Sequence, residues 1–221
     1  MERSFQYAFC LPPGGGRALT LGLGLGETYP SSFLAGVAAM RFRGATATDL
    51  ILVAGLISQA HRDVALAFGL TAENCPRHPS FCTPAWVERG MACGETYFIL
   101  ERDSVAVGCV ACRLAETGVA ALNRLSVLES ERRRGHGGLL VAHCLDHAKA
   151  AGARSVRIGV IERHVALRDW YRQRGFEEGP IERFPHLPFA VQSMFHRLGA
   201  TVVIGEKGGP AQEPPFVVRR P

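Results

Sequence analysis

No stretch of this sequence reaches the roughly 18 consecutive apolar residues that a membrane-spanning helix needs, so no transmembrane segment is expected and no membrane partner. A signal-peptide core is missing as well. The apolar drift near the start is broken by Pro12-Pro13-Gly14-Gly15-Gly16, and the only charges before it are Glu2 and Arg3. Lysine is scarce: Lys149 and Lys207 are the only two, so the net charge of +5 rests on arginine. Those arginines are scattered and lack the interleaved aromatics of a single-strand binder. No nucleic acid is therefore expected as a partner, whereas a modest positive charge suits a small anionic ligand. The seven cysteines lack the even number and regular spacing of a secreted disulfide framework. They read as reduced thiols of a cytoplasmic protein.

What is present is the balance of a globular domain, with 47% hydrophobic and 20% charged residues. The chain of 221 residues suffices for one domain. A core of about 160 residues buries roughly 70% of its unfolded surface and needs no disulfide. Residues 1–39 stand apart: rich in Gly, Pro and Ser and without a sustained period, they read as a flexible extension. Within them, Leu21-Gly22-Leu23-Gly24-Leu25-Gly26 resembles a nucleotide loop only superficially, because no β-branched strand precedes it and no Lys-Ser/Thr follows. Met40 stands directly before the first strand and is a candidate start of translation. Residues 40–198 are expected to fold, and 199–221, again rich in Gly and Pro, to form a loose tail.

Between these ends the pattern alternates. Arg41-Phe42-Arg43 begins a strand, and Thr46 or Thr48 can cap a helix through Leu50, Val53, Leu56, Ile57 and Ala60. A loop rich in Pro, Cys and His spans 74–83, and Pro84 fits the first turn of a second helix to about Ala92. Strand-like runs follow at 95–101, 105–114 and 119–128, the first two joined by the turn Arg102-Asp103-Ser104. A long helix runs from about Gly137 to Ala151 and ends at Gly152. A strand at 156–161, a helix from about His164 to Arg174 and two strands around Phe184–Phe189 complete the order β-α-α-β-β-β-α-β-α-β-β. That order predicts an α/β (α+β) domain with a mixed sheet rather than a purely parallel one.

The chemistry concentrates where Leu125-Ser126-Val127-Leu128 ends a strand and Arg132-Arg133-Arg134-Gly135-His136-Gly137-Gly138 opens the long helix. The first N–H groups of a helix have no internal acceptor, and the helix dipole favours an anion there. Glycines at 135, 137 and 138 remove side chains that would hold a phosphate away, and three arginines add charge.

These residues resemble the GNAT acetyltransferases, whose pyrophosphate motif is Arg/Gln-x-x-Gly-x-Gly/Ala at a strand–turn–helix junction. Arg132, Gly135 and Gly137 match it. A second match, Trp170-Tyr171-Arg172-Gln173-Arg174-Gly175-Phe176, resembles the family's Tyr-x-x-x-Gly-Phe, and the resemblance covers roughly residues 41–198. It implies a twisted, mostly antiparallel sheet flanked by helices, and an N-acetyltransferase that moves an acetyl group from acetyl-CoA to an amine. The coenzyme would lie where the strand ending at Val127 splays from the strand after Gly152. Leu125 and Val127 would offer backbone to the pantetheine. Arg132, Arg133, Arg134 and the amides of Gly135, His136, Gly137 and Gly138 would hold the diphosphate. A backbone N–H near Leu125 would face the developing oxyanion. Tyr171 matches the family's general acid, and a phenol with an ordinary pKa of about 10 stays protonated at neutral pH. Two positions depart from the pattern. His164 stands where many relatives carry the Asn that meets the coenzyme. Asn123, which cannot act as a base, stands where many carry Glu, so deprotonation would run through water or a His elsewhere, with Glu129 a weaker candidate. Dimers are frequent in the family, so a homodimer is one state the resemblance allows.

On the acceptor side, the resemblance points to two loops as pocket walls: His78 and Phe81 in Cys75-Pro76-Arg77-His78-Pro79-Ser80-Phe81-Cys82, and Phe184 and His186 in the later loop. Asn123 would join them. Rigid packing of the same loops by proline and phenylalanine is the plainer reading. Cys75, His78 and Cys82, with Cys93, have some of the spacing of a zinc site, but a structural zinc takes four good ligands and no metal is expected. His143 and His147 fall one helical turn apart without a Glu between them and read as a solvated face. Cys109 and Cys112, three apart in a strand, should point to opposite faces and so form no redox pair. Two other classes stay open: a catalytically silent GNAT domain that binds acyl-CoA as a sensor or serves a protein partner, and a zinc-stabilised interaction module.

Overall fold

The computed structural model describes residues 39–115 and 118–199. Residues 1–38, which hold the glycine repeat and most of the expected extension, and residues 200–221 of the expected tail lie outside the described residues. Among the described residues seven strands form one sheet: β1 (Met40–Gly44), β2 (Glu95–Arg102), β3 (Val105–Arg113), β4 (Val119–Val127), β5 (Ser155–Ile161), β6 (Glu177–Arg183) and β7 (Ala190–Arg197). Their spatial order is β1-β2-β3-β4-β5-β7-β6. Every neighbouring pair is antiparallel except β4 and β5, which run parallel. This is the mixed, mostly antiparallel sheet expected from the motifs.

Among the described residues five helices cover it: α1 (Leu50–Ala60), α2 (Arg62–Phe68), α3 (Pro84–Ala92), α4 (His136–Ala150) and α5 (Val165–Arg172). One face of the sheet packs on α4 and α5, through Leu122, Leu125, Leu140, Cys144, Val160, Leu167 and Tyr171. The other packs on α1 and α3, through Val53, Ile57, Val87, Tyr97, Ile99 and Cys109. Strand alternation explains the division: Cys112 lies in the first cluster and Cys109 in the second, as their spacing requires. A third cluster joins Val64, Ala65, Cys75, Ile161 and Phe189. Thr46 caps the 3-10 turn that leads into α1, where Asp49 accepts the Thr46 N–H at 2.9 Å. Arg43 donates twice to that carboxylate, at 2.8 and 2.9 Å, and holds it well below the usual carboxylate range.

Two readings of the sequence are corrected. First, α2 was not expected. His61 interrupts the helix, and Arg62 and Asp63 mask the periodicity of Val64, Ala65 and Phe68. The stretch Ala47–Phe68 has a mean hydropathy of 1.3 and the length and composition of a membrane span, yet the inner face of α1 is buried against the sheet, as in a core helix. Second, His143 and His147 are half-buried rather than solvated. His143 stacks on Phe42 at 4.2 Å and meets Phe98 edge-on at 4.5 Å, and His147 meets Phe98 at 4.9 Å. An imidazole that loses water to aromatic neighbours favours its neutral form, and burial lowers the pKa of His143.

Candidate active site

Strand β4 is where the sheet opens. Among the described residues, β4 and β5 pair only over Val119–Ala121 with Ser155–Arg157. Beyond Ala121, β4 keeps β3 on one side and loses its partner on the other. The register against β3 jumps from Ala111↔Asn123 to Cys109↔Ser126, so Arg124 and Leu125 together oppose one residue, and Arg124 carries φ of +52°. This is a β-bulge. The Leu128 N–H bonds back to the Val107 carbonyl at 3.0 Å. By alternation, the N–H and C=O groups of Val127 and Leu125 therefore face the opening.

The turn after β4 is built to expose amides. Gly135 caps α4 with φ of +87°, and Arg133 also adopts a positive φ, of +62°. The first helical bond runs from the Leu139 N–H to the Gly135 carbonyl at 3.1 Å, which leaves the N–H groups of His136, Gly137 and Gly138 for an outside acceptor. Arg133 and Arg134 are exposed beside them. Arg132 is placed otherwise. Its guanidinium donates to Asp63 at 2.5 and 3.1 Å, to the Ala60 carbonyl at 2.6 Å and to the Val127 carbonyl at 3.3 Å. It clips the turn to the α1–α2 junction instead of reaching outward. Burial would raise the pKa of Asp63, but the hydrogen bond and charge of Arg132 hold it below its ordinary value. The His136 ring also turns inward, 3.3 Å from the Glu131 carboxylate that Arg102 holds at 2.6 Å.

Helix α5 supplies the second wall. Tyr171 is fully buried, with edge contacts to Trp170 and Phe176 at 4.9 and 5.2 Å, in the cluster that holds Leu125. His164 caps α5, its Nδ1 accepting the Leu167 N–H at 3.3 Å. Burial lowers its pKa, which keeps that nitrogen an acceptor. Arg174, within the Tyr-x-x-x-Gly-Phe motif but not singled out from the sequence, lies 3.6 Å above the Trp170 ring and donates to the Trp170 carbonyl at 2.8 Å. A Cβ on Gly138 would meet its Nε and Nη2 at 3.6 Å, so the guanidinium rests against the first turn of α4. Among the described residues no carboxylate pairs with it, and burial lowers its pKa.

The acceptor-side residues do not converge on one open space. His78 is buried. Its Nδ1 lies 2.8 Å from the Ser80 hydroxyl and accepts the Ser80 N–H at 3.3 Å, capping a 3-10 turn at Pro79–Phe81. Burial and the nearby His61 push its pKa down to about 3. Phe81 and Phe184 are half-buried, and of these residues His186 alone is exposed. Phe184 and Leu187 pack against the apolar cluster that holds Val64 and Cys75, so both loops contribute to one cluster. Asn123 is also buried and donates to Glu95 at 2.9 Å. A cleft of about 540 Å³ lies elsewhere, beyond the end of β4, between Gln59, Arg62, Asp63, Leu128, Glu129 and Ser130. Among the described residues no three His, Cys, Asp or Glu side chains gather closely enough to hold a metal. Cys75 and Cys82 fall in different clusters and Cys93 is exposed, so the zinc-module reading is not supported.

The sequence model of the acetyltransferase (GNAT) family matches residues 66–176, half of the chain. The amino-acid acetyltransferase of Ectopseudomonas mendocina (strain ymp) is 32% identical over 92 residues, which are 41% of this chain and 20% of that protein. The chain thus spans about a fifth of the length of that curated relative. The ribosomal-protein-S18-alanine N-acetyltransferase of Escherichia coli superposes with a TM-score of 0.60 over 76% of this chain and 100% of that one, at 16% identity. The PaiA N-acetyltransferase of Thermoplasma acidophilum, solved with coenzyme A, superposes at 0.59 over 72% and 99%, at 14% identity. These likenesses establish the fold. The family match runs from α2 through the opened β4 and the glycine turn to Phe176, and the chain belongs to the GNAT acetyltransferase family.

Proposed function

We propose that this protein transfers an acetyl group from acetyl-CoA to the amine of a small molecule or a peptide. One observation carries the reading: the free amides of His136–Gly138 adjoin a strand whose Leu125 and Val127 backbone groups have lost their neighbour. Bound acetyl-CoA supplies the thioester-activated acetyl group. The residues present fit it. The helix start and the exposed Arg133 and Arg134 receive the diphosphate, and Arg174 adds a half-buried cation beside Gly138. Leu125 and Val127 take the pantetheine as an added strand. Arg132 holds the turn in place through Asp63 and Val127. The Leu125 N–H faces the opening and stabilises charge on the acetyl oxygen. Tyr171 gives its proton to the departing thiolate. No carboxylate of β4 serves as base, so the amine loses its proton to water.

The names of two relatives point to acceptors of α-amino type: amino acids for one, a ribosomal protein's alanine for the other. The six described cysteines are free thiols, in keeping with a cytoplasmic setting. The test is release of free thiol from acetyl-CoA over a panel of amino acids, peptides, polyamines and aminoglycosides. Turnover with at least one amine is expected. The full burial of Tyr171 favours a second reading, a domain that binds the coenzyme without transfer, and tight CoA binding with no thiol release from any amine would select it.

A further inference from the structure

Beneath the bulge in β4 lies a sealed polar cluster that the transfer reaction does not use directly. The Glu95 carboxylate, on the first residue of β2, accepts from Arg124 Nη1 at 3.0 Å, from the Tyr97 hydroxyl at 2.6 Å and from Asn123 Nδ2 at 2.9 Å. The two side chains of the Glu95–Arg124 ion pair are 2% and 7% exposed. The Arg124 guanidinium also lies over the Tyr97 ring, 5.7 Å from its centroid. Gly90 of α3 closes the cluster: a Cβ there would come within 2.6 Å of the Tyr97 hydroxyl and closer still to Glu95.

The Glu95 carboxylate is sealed from solvent and accepts from three side chains at once, so an incoming amine does not reach it. Its partners indicate a different task. Asn123 is the last residue of β4 in register before the bulge, and Arg124 is the first of the bulge. A long side chain seldom adopts φ of +52°, and such a conformation persists only where the surroundings over-determine it. Glu95 grips both residues from the α1–α3 face of the sheet. We propose that Glu95 is a positioning residue: by holding Asn123 and Arg124 it maintains the bulge that turns the Leu125 N–H toward the acetyl thioester. This rests on the acetyltransferase reading above. The consequence follows from strand geometry. Without the bulge, alternation shifts by one residue, and the groups facing the opening become those of the neighbouring positions.

The test compares the wild-type chain, E95Q and the double variant E95Q/R124G. In E95Q a buried guanidinium loses its counter-charge and pulls toward water, which releases the positive φ. Turnover with the fastest amine of the wild-type panel should fall about 100-fold, the scale of a lost oxyanion donor, while calorimetric CoA affinity holds. In the double variant no buried charge remains and glycine takes positive φ freely, so turnover should return to within about tenfold of wild type by the same scale. A pair that merely stabilises the fold would lower the melting temperature and leave the turnover of folded enzyme intact. Folded E95Q with wild-type turnover overturns the proposal, as does a crystal structure of E95Q in which the bulge is unchanged. A wild-type chain without affinity for CoA overturns the acetyltransferase reading itself, and the E95Q crystal structure still decides whether the pair holds the bulge.

Discussion

Replacing Arg174 by Met tests the coenzyme site at a point the family motif does not specify. Arg174 is held in three ways before any ligand arrives: stacked 3.6 Å above Trp170, bonded to the Trp170 carbonyl and resting against Gly138. It is already partly desolvated in the free protein, and burial lowers its pKa. A phosphate oxygen delivered to the α4 start therefore gains a charge-assisted hydrogen bond of about 1.5–3 kcal/mol. Losing it in R174M should weaken CoA about 10- to 150-fold. The folded state changes little. The variant loses a cation–π contact of about 1 kcal/mol and is relieved of a half-buried cation that has no carboxylate partner among the described residues. Calorimetric titration with CoA measures the effect, and acetyl-pantetheine, which lacks the phosphates, serves as control and should bind both proteins alike. Equal CoA affinity for R174M and wild type would refute the reasoning.

Acid should destabilise the fold through His78. Its pKa falls from 6.5 in the unfolded chain to about 3 in the native protein, so the native state binds fewer protons across that window. Its contribution is fully present above pH 6.5 and is lost toward pH 3, at about 1.4 kcal/mol per pH unit. Urea midpoints between pH 7 and 4 should fall less steeply in H78Q, and parallel profiles would contradict this. G135A meets open space but must adopt φ of +87°. A cost of about 1–2 kcal/mol should lower Tm by a few degrees and weaken CoA binding, and an unchanged Tm would count against the αL cap. Y171F should lower kcat by about 100-fold or more while coenzyme affinity holds, and unchanged turnover with a verified amine removes Tyr171 from the mechanism.

The strands and four of the five helices were legible because their periodicity is uninterrupted and their ends carry Pro84, Gly152 and Gly175. α2 was hidden because His61, Arg62 and Asp63 break the apolar rhythm at the kink. The glycine turn could be read as an anion site, since the need for bare amides dictates the residue types. The behaviour of individual arginines could not. Arg132 and Arg133 are adjacent, yet one is bound to Asp63 across the fold and the other is exposed, and only tertiary contacts separate them. Glu95 gave no signal, because the two partners that tie it to the bulge, Asn123 and Arg124, lie 28 and 29 residues away on another strand. The acceptor loops were legible as rigid and aromatic. The apolar cluster that Phe184, Leu187 and Cys75 share is a property of the assembled fold.

The central claim is that the first turn of α4 binds the coenzyme's diphosphate. Titrating CoA into the ¹⁵N-labelled protein tests it residue by residue. The account predicts that the amide signals of His136, Gly137 and Gly138 shift markedly downfield and saturate together with that of Leu125. Saturation of CoA binding with those three amides unmoved would contradict it.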